Sequence, residues 1–412
     1  MSGNLLIKNI GILQTAAGNG KHCGREQGEN IKLKNAAILI KDGIISEITA
    51  DGKLPDGTGS EELIIDAEGN IATPGLVDAH THLVFGGYRQ HEIPLKLEGA
   101  SYESILKAGG GILDTLKKTR ESGFDELYEK SAGFLDEMLA LGVTACEVKS
   151  GYGLDFENEI KQLEIIKRLS AEHPMDVVAT YMGAHAAPEE YKGRADDYID
   201  MVCEKVTPYV AEKKLAEFCD VFCETSAFSA EQSRKYLICA KKHGLGLKIH
   251  ADEIEAIGGA QVAGELCADS AEHLIATDED GMKALARGKT TAVLLPGTSF
   301  YFDKKYAQAK RMIEHGIPVA LATDFNPGSC PSLNLQLIIN MGYLKYRMRP
   351  EEILTAVTIN AACAIGRGAL LGTLEEGKQG DVVIWDAPDF EMLCYRFGSN
   401  LALQTIKKGE LV

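Results

Sequence analysis

Ten cysteines stand at positions 23, 146, 203, 219, 223, 239, 267, 330, 363 and 394 of this 412-residue chain, and no two of them form a CxxC pair. That spacing leaves no disulfide framework; in a chain this long it points to buried free thiols in a reducing compartment. A basic surplus is also missing: 43 Lys and Arg face 60 Asp and Glu, a formal charge of −17. Nucleic acid and anionic membrane surfaces need a basic footprint, so neither is an expected partner. A small anionic substrate stays open, because one arginine in a cleft sets the local field. No apolar run approaches the roughly 18 residues of a membrane span. The first residues, Met1-Ser2-Gly3-Asn4-Leu5, lack a basic segment, an apolar core and a cleavage site. The expected location is the cytoplasm. Internal repeats and low-complexity linkers are absent too.

What is present reads as a globular enzyme-sized chain, with 45% hydrophobic and 25% charged residues. Residues 1–72 are strands and turns: Leu5–Leu13, Ala37–Ile40, Ile44–Ile48 and Leu63–Ile65 are β-rich between Gly, Asp and Asn. From 73 the texture changes. Eight short apolar runs follow, at Gly75–Asp78, Val143–Val148, Val177–Tyr181, Val221–Glu224, Leu245–Ile249, Ser270–Glu272, Ala292–Leu295 and Val319–Ala322. The stretches between them have room for helices, as at Phe156–Glu172, Ala230–His243 and Tyr306–His315. Eight such units predict an α/β fold, a (β/α)8 TIM-type barrel over 73–365. An open doubly wound sheet is the alternative, but no GxGxxG turn follows an early strand. After 366 the chain returns to turns and to the strand Val382–Trp385. Residues 1–72 and 366–412 are therefore expected to combine as one small β-sandwich domain.

The chemistry-bearing residues sit where the strand runs end. His80 and His82 close the first run in the string Asp78-Ala79-His80-Thr81-His82. Residues two apart on a strand face one side, so both imidazoles point into a barrel mouth and can share a metal ion. His250 ends the fifth run, His273 the sixth and Asp324 the eighth. Each alone is an ordinary surface histidine or helix-capping aspartate. Together, at the C-terminal ends of strands one, five, six and eight, they imply a shared centre.

This pattern resembles the amidohydrolase superfamily over essentially the whole chain. Narrower strings resemble the imidazolonepropionase family: Asp78–Phe85 (DAHTHLVF), Glu147–Leu154 (EVKSGYGL), Gly183–Ala186 (GAHA), His250–Glu253 (HADE) and Ala322–Ser329 (ATDFNPGS). Ile254 and Cys330-Pro331 depart from that pattern, away from every ligand position. The resemblance implies one metal ion, zinc or iron, held by His80, His82, His250 and Asp324. Binuclear relatives carry a bridging lysine on strand four, which this chain lacks; Lys149, on strand two, is read as structural or electrostatic.

The implied reaction is hydrolysis of the cyclic amide of 4-imidazolone-5-propanoate to N-formimidoyl-L-glutamate. Glu253 either moves the proton of the attacking water or orients a ligand histidine. His273 is expected to stabilise the oxyanion or to assist as acid or base, and Asp324 to combine ligation with proton transfer. Arg89, seven residues after His82, has the fork that grips a propanoate carboxylate. Tyr102, Tyr152, His185, Asn326, Gly328 and Ser329 complete the expected substrate contacts. A homodimer is implied by the resemblance alone. Heterocycle deaminases and other cyclic amide hydrolases remain the rival enzymes, and a metal-free scaffold the rival of another class.

Overall fold

The computed structural model describes residues 4–56, 58–59, 63–99 and 109–412. Tyr102 lies outside them. Two sheets organise the chain. The first takes β1 (Leu5–Thr15), β2 (Ile31–Lys41), β3 (Ile44–Thr49), β4 (Leu63–Asp66) and β5 (Ile71–Pro74) from the front of the chain. The second takes β6 (Leu76–Asp78), β7 (Val143–Lys149), β8 (Asp176–Ala184), β9 (Phe218–Cys223), β10 (Gly246–Ala251), β11 (Ser270–His273), β12 (Thr291–Leu294) and β13 (Val319–Leu321). The chain then returns to the first sheet with β14 (Val382–Trp385), β15 (Ala402–Lys407) and β16 (Glu410–Leu411).

In the second sheet the strands pair in sequence order and every pairing is parallel. Parallel neighbours need crossovers, and helices such as Phe156–Glu172 and Ala230–Lys242 supply them. Asp155 caps the first of these by accepting the Asn158 N–H at 2.8 Å, and Ile160, Leu163, Ile166 and Leu169 form its buried stripe. A parallel Thr81–Phe325 bridge joins the two ends of the sheet, so the eight strands make a nearly closed (β/α)8 barrel. Val77, Ala145, Val178, Phe218, Val293 and Ala320 fill the lower interior and pack on Ala361, Ala362 and Ile365, from and just beyond the helix Ile359–Ala364.

In the first sheet β5 and β14 pair antiparallel and splice the two chain ends together. Its core of Leu5, Ile7, Ile10, Ile38, Ile40, Val382 and Ile406 is separate from the barrel's. Three strands of this sheet, β5, β15 and β16, go beyond the sequence expectation. β5 pairs with β14 from the far end of the chain, while β15 and β16 pair with their neighbours in the C-terminal segment, and such short segments acquire strand geometry only on pairing.

All ten cysteines are unpaired, as expected, but only five are buried, and Cys267 is exposed. Small side chains at helix surfaces and ends tolerate such positions. Among the described residues no helix is long and apolar enough to cross a membrane.

The two sheets meet at Gly142, just before β7. Its φ is +87°, and a Cβ there would stand 2.7 Å from the ring of Trp385. Trp385 is fully buried and donates its indole N–H to Thr73 Oγ1 at 2.9 Å. Gly142→Ala therefore meets both backbone strain and a clash. Thermal unfolding should show a loss of about 1–3 kcal/mol, with the metal-binding capacity of the barrel mouth retained.

Candidate metal centre and active site

The seam of the barrel is also where the candidate ligands meet. The His82 N–H donates to Phe325 O at 2.9 Å and the Asp324 N–H to His80 O at 3.1 Å. Asp78, fully buried, accepts the Thr323 N–H at 3.1 Å and the Thr323 hydroxyl at 2.6 Å. Those bonds bring His80, His82 and Asp324 side by side.

His80 Nε2 lies 3.4 Å from Asp324 Oδ1, and His82 Nε2 lies 3.8 Å from the same oxygen. His250 Nε2 is 3.3 Å from His82 Nε2. Four donors about 2.1 Å from one ion stand about 3.4 Å apart at the corners of a tetrahedron, so the spacing suits a metal. The donors also lack other work. Neither ring nitrogen of His80 has a hydrogen-bond partner, nor does His82 Nδ1, although all are buried. A packed core histidine would be satisfied; a ligand set is not until an ion arrives. Burial, then the Lys149 ammonium for His80 and the His185 imidazole for His82, push both well below the ordinary imidazole range. Neutral imidazole is the ligand form.

Two further residues aim the ligands. Thr298 donates its hydroxyl to Asp324 Oδ2 at 2.5 Å, which leaves Oδ1 facing the histidines. Asp220 faces His250 Nδ1 with both oxygens, at 3.2 and 3.1 Å, so the Nδ1 proton stays there and Nε2 faces the centre. Burial opposes charge on His250, but the Asp220 carboxylate outweighs it and holds the imidazole above its ordinary range.

Asp220 belongs to a layer of buried ions under the histidines. Lys149 Nζ sits 2.8 Å from Asp220 Oδ2 and 2.8 Å from Glu147 Oε2. Lys248 Nζ lies 3.3 Å from Glu147 Oε1 and donates to Ala364 O at 2.9 Å. Glu272 accepts the Ser270 hydroxyl and the Ile249 N–H. Burial penalises Lys149, yet Asp220 and Glu147 keep it charged far above neutrality. Lys149 is thus a fixed cation locked in ion pairs. Asp220, Glu147, Lys248 and Glu272 escaped the sequence reading. The available signal was a charged residue inside an apolar strand run; β9 begins at Phe218, three residues earlier than expected, and so takes in Asp220.

Glu253 reaches toward His273, with Oε2 3.7 Å from Nε2. Burial, modulated by His250 and Glu224, lifts its carboxyl to about 7. Glu224 fixes the next turn by accepting the Ile254 N–H at 2.8 Å and the Glu255 N–H at 3.2 Å. Burial chiefly brings His273 down to about 3, so its ring is neutral. His273 and Asp324 both hold left-handed backbone, φ 69° and 56°. Such strain in non-glycine residues gathers where side chains must be aimed.

The remaining expected contacts line the same mouth. His185 stacks on His82 with ring centroids 5.1 Å apart, and the buried Tyr152 ring lies 5.4 Å from His185 and 5.9 Å from His82. Arg89 Nε is buried with no hydrogen-bond partner, and among the described residues no carboxylate lies within ion-pair distance of its guanidinium. The guanidinium rests on Gly328, where a Cβ would stand 1.5 Å from Nη2. Gly328 therefore makes room for the arginine. Asn326 spends its amide on its own loop. It donates to Asp324 O and Ser329 Oγ at 2.6 Å each, and accepts the Gly328 and Ser329 N–H groups at 2.8 and 2.7 Å. Ser329 Oγ is 3.3 Å from Asp324 Oδ2.

A barrel of this kind with His, His, His and Asp at its mouth defines a class, the metal-binding hydrolases of the amidohydrolase type. The amidohydrolase family model matches residues 71–412, and the chain belongs to that family. Its curated relatives narrow the branch. The imidazolonepropionase of Alkaliphilus metalliredigens is 48% identical over 413 residues, covering 99% of this chain and 98% of the relative. That of Alkaliphilus oremlandii is 48% identical over 419 residues, covering 100% and 98%. At that identity over the full length, the imidazolonepropionases are the branch in which the chain falls. Among solved structures, atrazine chlorohydrolase of Arthrobacter aurescens, complexed with zinc, aligns with a TM-score of 0.72 at 20% identity. It covers 99% of this chain and 94% of its own, and shares the fold.

Asp220→Asn should weaken the centre without removing a ligand. The amide cannot hold both the Lys149 ammonium and the His250 proton. Metal affinity is expected to fall about 10–100-fold, measured by competition with a chelator, and the melting temperature should fall because Lys149 loses a buried partner.

Proposed function

We propose that this chain hydrolyses the cyclic amide of 4-imidazolone-5-propanoate to N-formimidoyl-L-glutamate, a step of histidine degradation, with one zinc or iron ion. The observation that carries the reading is the convergence of His80, His82, His250 and Asp324 at tetrahedral spacing, in a chain matching imidazolonepropionases end to end. The ion, when bound, lowers the pKa of water toward about 7 and so supplies a nucleophile at neutral pH.

The chain's own residues would do the rest. Water adds to the ring carbonyl carbon, and the bond from that carbon to the ring nitrogen breaks. Glu253, with a carboxyl near neutrality, takes the proton of the attacking water. Asp324 or Glu253 returns a proton to the leaving nitrogen. Neutral His273 donates a hydrogen bond to the developing oxyanion. Arg89 pairs with the propanoate, since its guanidinium has no carboxylate partner among the described residues. Tyr152 and His185 offer ring faces to the flat heterocycle. With a charge of −17 the surface suits a small-molecule enzyme of the cytoplasm rather than a nucleic-acid or membrane partner.

The test is direct. Protein with its metal quantified is given imidazolone propanoate generated in place, and formation of N-formimidoyl-glutamate is followed. Metal-loaded protein should form product and chelator-stripped protein should not, with activity restored on reloading. A loaded protein that forms none would sink the substrate assignment.

Glu253 makes a second prediction through pH. As a base it must be ionised, so kcat/KM should fall as pH drops below about 7, tenfold per unit. Glu253→Gln should flatten that limb and lower kcat. Because the folded carboxyl titrates above its unfolded value, its contribution to stability is complete below about pH 4 and is lost as pH rises through about 7. The metal-free Gln variant should accordingly melt higher than the parent at pH 8 and equally at pH 4.

A further inference from the structure

We propose that Lys130 is a positioning residue for Arg89: from the helix Phe124–Ala140 it clamps the loop Phe85–Tyr88 and so sets where the guanidinium meets the substrate carboxylate. The inference rests on the carboxylate role given to Arg89 above. Among the described residues Arg89 has no ion-pair partner and its buried Nε has no hydrogen bond, so its position depends on the backbone that carries it. That backbone leaves β6 at Asp78 and passes the ligands His80 and His82, and residues 83–89 join no strand or helix. A loop without a ladder needs other donors for its carbonyls.

Lys130 supplies them. Its Nζ donates to Phe85 O at 3.1 Å and to Gly87 O at 3.3 Å. The same ammonium lies 4.0 Å from the Phe85 ring centroid, 4.4 Å from that of Tyr88 and 5.7 Å from that of Phe134. It is therefore gripped by carbonyls on one side and aromatic faces on the other. The helix Ile112–Glu121 closes the opposite side of the loop. Gly86 N–H donates to Thr119 Oγ1 at 2.9 Å, and Lys118 Nζ reaches Tyr88 O at 3.3 Å. A Cβ on Gly86 would stand 2.5 Å from the Lys118 carbonyl, so the loop lies flat against that helix. Arg89 is the next residue, and its far end rests on Gly328. Loop on one side and Gly328 on the other leave the guanidinium a single place.

A methionine at 130 would fill the same space but donate nothing to the two carbonyls. The loop then relaxes, and a displacement of about 1 Å at a charge-assisted contact is enough to weaken it about tenfold. The experiment is a double-mutant cycle on Michaelis parameters for the imidazolone substrate, with melting temperatures measured alongside. Lys130→Met should raise KM about tenfold with kcat within twofold, Lys130→Arg should restore most of the loss, and Lys130→Met should add nothing to KM in the Arg89→Ala background. If Arg89→Ala raises KM and Lys130→Met does not, the positioning role is overturned while the carboxylate reading stands. If Arg89→Ala leaves KM unchanged, both fall. A Lys130→Met effect on KM that persists undiminished without Arg89 overturns the coupling. Should Lys130→Met fold poorly, Tyr88→Leu, which removes one aromatic face and keeps both carbonyl bonds, gives the same cycle with a smaller expected rise.

Discussion

Everything at the barrel mouth depends on how strand one meets strand eight. The two strand ends do not form a regular ladder. They are joined by the His82–Phe325 and Asp324–His80 backbone bonds and by Asp78 gripping Thr323. The groups that close the barrel are thus neighbours in sequence of the groups that face the metal. Closure and ligand assembly are one event, because the same few residues carry both. This also explains the burial: His80 is fully buried and Asp324 nearly so, which is possible only where every backbone polar group nearby already has a partner.

Below the seam lies a layer that looks costly. Glu147, Lys149, Asp220, Lys248 and Glu272 are all fully buried. Buried ions survive when each has partners of opposite sign and good geometry, as Lys149 has in Glu147 and Asp220 and Lys248 has in Glu147, while Glu272 is held by the Ser270 hydroxyl and the Ile249 N–H. The layer separates the apolar floor around Phe218 and Ala361 from the imidazoles above. It gives a direction to His250 through Asp220 and a fixed positive charge at Lys149. The second of these helps keep His80 neutral. Catalytic geometry at the mouth is therefore inherited from charge pairing one layer down.

The mouth itself is built from strand ends and the loops that follow them. Left-handed backbone at His273 and Asp324 is tolerated because the strands behind them are held on both sides. Small residues act as space rather than as ligands, and Gly328 is the clearest case, since Arg89 occupies the volume of its missing side chain. Asn326, whose amide is used up within its own turn, shapes the loop in which Gly328 stands.

Much of this was legible in the chain before folding. Eight apolar runs separated by helix-length stretches dictate parallel strands with crossovers, and the residues His80, His82, His250, His273 and Asp324 mark the ends of those runs because strand alternation aims them. The glycines after strand two and the Asn326-Pro327-Gly328 string after strand eight advertise tight turns. Other features had no local trace. Strands β5, β15 and β16 exist only by pairing, β5 with β14 from the far end of the chain and β15 and β16 with their neighbours in the C-terminal segment. Asp220, Glu147, Lys248 and Glu272 look, in sequence, like interruptions of apolar runs; only the folded barrel pairs Asp220 and Glu147 with Lys149 and Lys248 and gives Glu272 its hydrogen bonds. The packing of Arg89 on Gly328, with no carboxylate partner among the described residues, depends on loops more than 200 residues apart. Patterns of period two and ends of strands are properties of the chain itself, whereas satisfaction of a buried charge is a property of its neighbours, and those are chosen only when the barrel closes.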